Sequence, residues 1–489
     1  MKSATIIGSG IGGIAAAIRL SIKGYRVKVF EKAATPGGKI AQFEDQGYRF
    51  DTGPSLFTLP ILVNELFALA GRNPNDYLEV KELPVTCNYY FADGKNIKAW
   101  SKREKFIDEV VGSGISRKVI EDYLEKQSFL YNHTSDFFLF NSIHKVSTYI
   151  GDAGQKSLKA LHRLDAFTSM HQRNEKTFGE HHLTQLFDRY ATYNGSDPYR
   201  APATLNMIAH LEHNTGAFFP ANGMYGIVSA LTKLAIELGV EFHFNEAVKT
   251  ITIFGNEITA VYTEKQSYPT DLLINDTDVS YFYRHLLPNK PMFNKLSKRE
   301  RSSSALIFYW GINYQSELDV HNILFSDNYK AEFDGLFQTK TFANDLTVYI
   351  FISKKVVESD APAGKENWFV MVNAPENTGQ DWDAMTQQAR KIILDKIEKT
   401  LGVHVSAKIE CEKVMTPVDI EARTASVNGS LYGHSSNSAM AAFLRHPNFS
   451  RKYKNLYFVG GSIHPGGGIP LCMASAKIVD KLIEENGGE

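Results

Sequence analysis

Residues 4–13 read Ala-Thr-Ile-Ile-Gly-Ser-Gly-Ile-Gly-Gly, an apolar run that ends in a glycine-rich turn. The run predicts a buried strand, and the alanine-rich, largely apolar residues 14–21 that follow predict a helix. Between them Gly8, Gly10 and Gly13 have the G-x-G-x-x-G spacing of a dinucleotide-binding turn. The first glycine permits the tight turn, the second allows close approach of a diphosphate, and the third lets the helix pack on the sheet. We therefore expect a diphosphate at this helix N-terminus.

An acidic residue follows at the position that such a unit needs. Glu31 ends the next predicted strand, where a carboxylate can bind the ribose hydroxyls of an adenosine. A carboxylate there favours a free ribose over a 2′-phosphate. The pattern thus predicts binding of NAD or FAD, which share the fingerprint.

Glycine-rich segments elsewhere favour FAD. Residues 36–39 read Pro-Gly-Gly-Lys, and residues 49–55 read Arg-Phe-Asp-Thr-Gly-Pro-Ser. Residues 456–459 predict a strand, residues 460–468 a loop, and Ile469 begins a helix with a proline in its first turn. The N-terminus of that helix would stabilise the negative charge of a reduced isoalloxazine. The two ends of the chain therefore predict one FAD site.

Four motifs resemble the bacterial phytoene desaturase family, the FAD-dependent carotenoid desaturases among the amine-oxidase-like flavoproteins. They are the glycine fingerprint, Asp-Thr-Gly-Pro-Ser at 51–55, Phe-Pro-Ala-Asn-Gly-Met at 219–224 and His-Pro-Gly-Gly-Gly-Ile-Pro at 464–470. The resemblance runs from residue 1 to around residue 485. Residues 189–199 and 201–204 resemble the branch that introduces the 3,4 double bond of 1-hydroxycarotenoids.

The resemblance implies an α/β fold in discontinuous pieces. We expect a Rossmann-type FAD-binding domain made of residues 1–85, 220–290 and 425–489. We also expect an α+β substrate domain, with a mixed or antiparallel sheet at 291–424 and a helical, membrane-facing portion at 86–219. Residues 251–263 predict a β-hairpin.

The motifs and the resemblance together assign the cofactor contacts. Residues 245–248 resemble the segment that grips the adenine, and residues 272–277 resemble the strand beneath the cofactor. The predicted FAD-binding residues are Gly8, Gly10, Ile11, Gly12, Gly13, Glu31, Lys32, Gly38, Lys39, Gly53, Pro54, Ser55, Val248, Asn275, Asp276, Gly460, Gly461, Gly468, Ile469 and Pro470. Many two-dinucleotide flavoproteins have Gly-Asp where this chain has Gly460-Gly461, so we expect backbone contacts to replace that carboxylate. No catalytic residue and no metal site are predicted.

Composition limits the location and the partners. The 53 basic and 54 acidic residues nearly balance and form no basic block, which argues against nucleic-acid binding. The three dispersed cysteines suit a reducing compartment. No apolar run is long enough to span a bilayer. We expect a cytoplasmic protein that associates peripherally with the inner face of the cell membrane.

The expected partners are a lipophilic carotenoid, the membrane surface, and O2 or a quinone as electron acceptor. An aromatic cluster within residues 129–140 is expected to line a substrate tunnel, to enter the bilayer interface, or simply to pack in the core. Three functions stay open from the sequence. They are carotenoid desaturation (of a 1-hydroxycarotenoid or of phytoene), amine oxidation, and non-catalytic lipid or prenyl escort on the same fold.

Overall fold

The strands and helices of the fold are given for residues 1–160 and 163–487, which the computed structural model describes. The strands are β1 (Ser3–Ile7), β2 (Arg26–Phe30), β3 (Gln42–Asp45), β4 (Tyr48–Asp51), β5 (Val80–Glu82), β6 (Val85–Tyr90), β7 (Asn96–Trp100), β8 (Phe218–Pro220), β9 (Glu241–His243), β10 (Thr250–Phe254), β11 (Glu257–Tyr262), β12 (Ser267–Pro269), β13 (Leu272–Asn275), β14 (Ser304–Ile312), β15 (His321–Leu324), β16 (Val348–Phe351), β17 (Glu366–Ala374), β18 (Ile409–Met415) and β19 (Leu456–Phe458). The helices are α1 (Ile11–Ile22), α2 (Ile61–Leu69), α3 (Arg103–Gly112), α4 (Arg117–Phe138), α5 (Val146–Ile150), α6 (Asp152–Leu158), α7 (Met170–Phe178), α8 (His182–Asp188), α9 (Ala209–His213), α10 (Tyr225–Glu237), α11 (Val279–Tyr281), α12 (Lys290–Ser297), α13 (Tyr329–Asp334), α14 (Trp382–Leu401), α15 (Pro417–Thr424), α16 (Ala441–Leu444) and α17 (Ile469–Gly487).

A parallel sheet gathers strands from distant parts of the chain. Its order is β19-β13-β1-β2-β9, and every neighbouring pair is parallel. Both faces of the sheet are covered, as parallel sheets require. Leu272 and Ile274 pack in the core that also holds α1, α10 and α17, whereas Leu273 packs in the core of the β10–β12 meander. The predicted hairpin at 251–263 is confirmed by the antiparallel pairing of β10 with β11.

A second sheet, of mixed direction, builds the other half of the molecule. Its order is β18-β14-β17-β16-β15-β6-β7, and it is antiparallel except between β15 and β6. Helix α14 covers one face, where Phe308 and Trp310 of β14 pack against Ala389 and Ile393. The opposite face carries the alternate residues of β14 and turns toward the first sheet. The predicted combination of an α/β domain with a mixed sheet is confirmed.

Two of the seven strands come from the segment 86–219, for which the sequence predicts helices. Strand β6 and strand β7 form one edge of the mixed sheet, and helices α3 to α9 follow them. Residues 85–89 of β6 read Val-Thr-Cys-Asn-Tyr and alternate apolar with polar side chains, so a strand pattern was present in the sequence although all five residues are buried. Within residues 1–160 and 163–487, no helix has the length and apolar content needed to cross a bilayer.

The start of α1 predicts a measurable packing constraint. A Cβ on Gly13 would stand 2.4 Å from the carbonyl oxygen of Gly8, so the clash is with backbone and not with a flexible side chain. We expect Gly13→Ala to lower the free energy of unfolding of the apoprotein by about 1–3 kcal/mol. Chemical denaturation of the apoprotein measures the change.

Gly112→Ala is the matched control. It replaces the last residue of α3, where no atom lies within 4 Å of the added Cβ, and should stabilise by about 0.5 kcal/mol. Equal stability of the Gly13→Ala and Gly112→Ala proteins would contradict the constraint.

Candidate active site

Three loops leave one edge of the parallel sheet side by side. Ile7 of β1 pairs with Asn275 of β13, which in turn pairs with Phe458 of β19. The ladder continues through Asp276 N–H to the Ile7 carbonyl at 2.8 Å and Val459 N–H to the Asn275 carbonyl at 2.9 Å. The turns that begin at residues 8, 276 and 460 therefore meet at the carboxyl ends of the strands, where open α/β sheets bind ligands.

These turns border a cavity of about 990 Å³. Every predicted FAD-binding residue except Gly13 and Asn275 lines it. Gly13 lies behind the wall, against Gly8. The Asn275 amide bonds with the hydroxyl and the carbonyl of Thr277 and so fixes the turn after β13.

Glu31 is held in place by the glycine-rich turn. Its Oε2 accepts hydrogen bonds from the backbone N–H of Ser9 at 2.9 Å and from the Ser9 hydroxyl at 2.8 Å. Its Oε1 accepts from Ala33 N–H at 2.8 Å. The N–H of Glu246 donates to the Glu31 carbonyl at 2.9 Å, which brings residues 247–248 beside it. A carboxylate with this orientation fits the ribose of an adenosine.

Residues 37–39 and 52–55 form the next part of the wall. Gly37 N–H donates to the Ser9 carbonyl at 2.8 Å. Lys39 Nζ reaches across to the Leu431 carbonyl at 2.6 Å, and burial lowers its pKa. Lys32 Nζ donates to the Ala422 carbonyl at 2.8 Å. Backbone turns and two lysines thus surround the space where a diphosphate would lie.

The C-terminal loop closes the site opposite the first turn. Gly460 N–H donates to the Ser475 hydroxyl at 2.9 Å, and α17 begins at Ile469 on the cavity wall. His464 Nε2 lies 3.0 Å from the Asn141 carbonyl, and burial lowers the pKa of His464 to about 3. A neutral His464 therefore ties the loop to the helical segment after α4.

Asp276 lies between the two glycine-rich turns. A Cβ on Gly10 would stand 2.5 Å from its Oδ2, and a Cβ on Gly12 would stand 2.9 Å from its Oδ1. Burial raises the pKa of Asp276 to about 7, against the opposing effect of the Gly13 and Gly10 amides. Oδ2 is buried and has no hydrogen-bond partner within the described part of the chain. FAD binding here requires Asp276 to take up a proton or to turn aside, while the other wall residues fit the cofactor directly.

Beyond this site the cavity extends over the mixed sheet. The alternate residues of four strands face it: Ala305 and Ile307 of β14, Phe369, Met371 and Asn373 of β17, Tyr349 of β16, and His321 and Ile323 of β15. The predicted aromatic cluster contributes Tyr131, Phe137, Phe138 and Leu139 to the same wall. Since Phe137 is buried and Phe138 is half-buried, the cluster lines the cavity rather than the molecular surface.

The rim of the cavity is apolar and exposed. Phe167 is 99% exposed, and Leu158 and Met440 are also exposed while lining the cavity. Val146 and Ile150 of α5 are exposed beside the lining residue Tyr149. These five exposed residues with Tyr149 are called the apolar rim below.

Polar side chains gather at the buried end of the cavity. Arg189 donates to the Tyr193 hydroxyl at 3.1 Å and to the Tyr89 hydroxyl at 2.5 Å, and it pairs with Glu212 at 3.4 Å. Its guanidinium lies over the rings of Tyr89, Tyr190 and Tyr193. The segment 189–199, which resembles the 1-hydroxycarotenoid branch, therefore contributes to this end.

Sequence reasoning did not find two polar residues of the cavity, His321 and Tyr349. The Tyr349 hydroxyl lies 2.6 Å from Ser55 Oγ and 2.7 Å from His321 Nδ1. Neither residue belongs to a motif, and only the pairing of β15 with β16 brings them together. The signals available were a tyrosine within the otherwise apolar strand β16 and a histidine at the start of β15.

The comparisons agree with the geometry. The family model described as flavin containing amine oxidoreductase matches residues 11–479, so the chain belongs to that family. It is accordingly an FAD-dependent oxidoreductase. Cyclohexylamine oxidase from Brevibacterium oxydans IH-35A shares the fold with a TM-score of 0.64 at 14% identity, over 100% of both chains.

Two relatives narrow the comparison within the family. The chain is 46% identical to the 1-hydroxycarotenoid 3,4-desaturase of Flavobacterium sp. (strain P99-3), over 99% of both chains. It is 30% identical to the phytoene desaturase of Fusarium fujikuroi, over 100% of this chain and 90% of that protein. The predicted resemblance to carotenoid desaturases is confirmed.

Asp276 predicts a pH dependence of FAD binding. In the protein without FAD the pKa of Asp276 is about 7. The negative diphosphate of bound FAD raises this pKa further, so binding takes up a proton. Affinity is therefore constant below pH 7 and falls above it, by at most about tenfold per pH unit. Asp276→Asn should remove this slope in a fluorescence titration of apoprotein with FAD.

Asp271→Asn is the control for that titration. Asp271 precedes β13 at the opposite end of the strand and bonds to Ser3, away from the cavity. This variant should keep the wild-type slope. If FAD affinity still falls with pH in Asp276→Asn, the proton taken up on binding belongs to another group.

Proposed function

We propose that this protein is a carotenoid desaturase that introduces the 3,4 double bond of a 1-hydroxycarotenoid. The observation that carries the proposal is one continuous cavity that joins the FAD site to an exposed apolar rim. Such a space suits a long, apolar molecule taken from lipid. The 46% identity to a 1-hydroxycarotenoid 3,4-desaturase supports this substrate class over phytoene.

Desaturation removes a hydride from an allylic carbon and a proton from its neighbour. Bound FAD supplies the two-electron acceptor for this chemistry. The chain supplies the arrangement: Glu31 and the turns at residues 8–13 and 460–468 hold the cofactor. Ile307, Phe369 and Met371 line the adjoining floor and exclude water, and alignment in such a dry site accounts for most of the catalysis.

No side chain is assigned as the base. The polyene spreads the developing positive charge, which acidifies the neighbouring C–H, so water or another weak base suffices to take the proton. O2 and a membrane quinone are the two candidate acceptors for the electrons. Turnover under argon that requires added quinone would indicate the quinone, and turnover that requires O2 would indicate O2.

Expression in carotenoid-accumulating cells tests the substrate. We expect a lengthened chromophore in cells that accumulate 1-hydroxylated acyclic carotenoids and no change in cells that accumulate phytoene. Pigment absorption spectra and the mass loss of two hydrogens measure this outcome. A lengthened chromophore in the phytoene cells alone would make the protein a phytoene desaturase.

Assays of the purified protein separate the two more distant functions. Peroxide formation from amines would indicate an amine oxidase. A protein that binds no FAD and leaves both kinds of pigment unchanged would be a non-catalytic lipid or prenyl escort.

The apolar rim supports a second part of the proposal, reversible contact with the inner face of the cell membrane. Exposed phenylalanine, leucine and isoleucine side chains around the mouth would enter the acyl boundary and let substrate pass without crossing water. The aromatic cluster within residues 129–140 then serves the passage behind that mouth.

Phe167→Ser tests the membrane contact against a matched change. Phe167 is 99% exposed on the rim, whereas Phe254 is 82% exposed on β10 and does not line the cavity. We expect Phe167→Ser to weaken co-sedimentation with liposomes about fivefold to thirtyfold, since one buried aromatic side chain is worth about 1–2 kcal/mol. Phe254→Ser should bind like the wild type, and equal loss in both variants would contradict a specific contact at the rim.

A further inference from the structure

His321, on the floor of the cavity formed by the mixed sheet, has a buried polar atom that the described part of the fold leaves without a partner. His321 is 2% exposed and lines the cavity, and its Nε2 is buried with no hydrogen-bond partner among the described residues. Leaving such an atom unpaired in an apolar interior is unfavourable, and native proteins seldom do so. The position calls for a hydrogen-bonding group from outside the chain.

The ring of His321 is firmly positioned. It stacks on Phe351 at 5.1 Å between centroids, and its Nδ1 lies 2.7 Å from the Tyr349 hydroxyl. That hydroxyl also bonds to Ser55 at 2.6 Å. Whichever tautomer is present, Nε2 has one unused capacity to donate or accept. Burial and the nearby Arg189 guanidinium lower the pKa of His321 to about 3, so the ring is neutral.

The unpartnered atom belongs to the part of the cavity nearest the FAD site. Ser55 follows Gly53 and Pro54, which line the cofactor site, and the hydrogen-bonded chain from Ser55 through Tyr349 ends at His321. Two other lining residues, Ile323 on the same strand and Phe369 on β17, are apolar. A ligand that meets His321 thus has its polar group close to the reacting position and the rest of its length on apolar wall.

A 1-hydroxycarotenoid has this distribution of polarity. Its hydroxyl is on C1, two carbons from C3, so the group that binds the hydroxyl must lie beside the bond that is desaturated. We propose that His321 Nε2 binds the C1 hydroxyl of the substrate and thereby places the C3–C4 bond at the flavin. This inference rests on the function proposed above and adds the residue that selects the hydroxylated substrate.

His321→Leu is the main test. The holoenzyme is assayed in liposomes with a 1-hydroxylated acyclic carotenoid and with the same carbon skeleton lacking the hydroxyl. We expect kcat/KM for the hydroxylated substrate to fall about 10- to 100-fold, because its alcohol is then buried without a partner. Turnover of the other substrate should stay the same or rise, so the preference between the two shrinks.

Two further variants separate recognition from a structural effect. His321→Gln keeps a hydrogen-bonding group and should recover most of the preference. Tyr349→Phe removes the hydroxyl that orients the ring and should lower the preference by a smaller factor. His210→Leu is the matched control, since His210 is buried but does not line the cavity, and it should keep the wild-type preference. The flavin absorbance and Tm of each variant establish that it is folded and loaded.

The outcomes distinguish the two proposals. A wild-type enzyme that acts only on the substrate without a hydroxyl overturns the 1-hydroxycarotenoid function, and the His321 assignment with it. A wild-type enzyme that prefers the hydroxylated substrate, while His321→Leu loses equal activity on both, overturns the His321 assignment and leaves the function standing. An unchanged substrate preference in His321→Leu likewise overturns the His321 assignment and leaves the function standing.

Discussion

The pairing of β13 between β1 and β19 is the interaction on which the rest of the structure depends. It sets the ends of three strands, at Ile7, Asn275 and Phe458, in one register. Asn455 secures the arrangement, because its side chain bonds to both backbone polar groups of Ile258 and to the Asp271 carbonyl. A slip of one residue would exchange the side chains that β13 presents to the two cores and would displace the turn at residue 276 from the glycine-rich turns. The cofactor site therefore exists only when this long-range pairing has formed.

The cavity combines apolar walls with a small number of buried polar groups, and those groups must be stabilised where they are. The guanidinium of Arg189 achieves this with Glu212 and three tyrosine rings, so the charge is compensated without water. Burial raises the pKa of Tyr193 well above its usual value, so its hydroxyl stays a neutral donor to Glu212. The terminal nitrogens of Arg189 are engaged in this cluster, while its Nε has no partner among the described residues. His321, whose second nitrogen also has no partner in the described residues, is by contrast a neutral ring held by Tyr349 and Phe351.

The sequence allowed the cofactor half to be predicted because its signals are local. Gly8 has a φ of +97°, which favours glycine, and Gly13 faces the Gly8 carbonyl too closely for a Cβ, so the turn geometry dictates the residues. The strand–turn–helix pattern around residue 469 is equally local. The resemblance to a known family then located residues 248, 275 and 276, which a local pattern does not reveal.

For the substrate half, the sequence allowed only the general architecture to be predicted, a mixed or antiparallel sheet with helices. Strand β6 alternates apolar and polar residues over 85–89, but its neighbour β15 lies more than 200 residues further along the chain, so the local pattern does not reveal the pairing. Contacts between such distant strands depend on the whole sheet, not on either segment. His321, Tyr349 and Ser55 illustrate the limit, because three unremarkable residues become a site only after the sheets pack. The apolar rim escaped prediction for a related reason, since single exposed hydrophobic residues look like core residues in a sequence.

The apolar mouth of the cavity disfavours entry of the substrate hydroxyl, whereas the polar atom at the buried end favours it. The hydroxyl must leave water or the bilayer interface and pass over apolar wall, which costs about 1–3 kcal/mol if nothing replaces its hydrogen bond. An entirely apolar cavity would therefore hold the hydroxylated substrate with the alcohol outside and the wrong bonds at the flavin. A hydrogen-bonding atom at the buried end reverses that preference, because the alcohol regains a partner only when it is fully inserted. Selection of the substrate and selection of the bond are then consequences of the same contact.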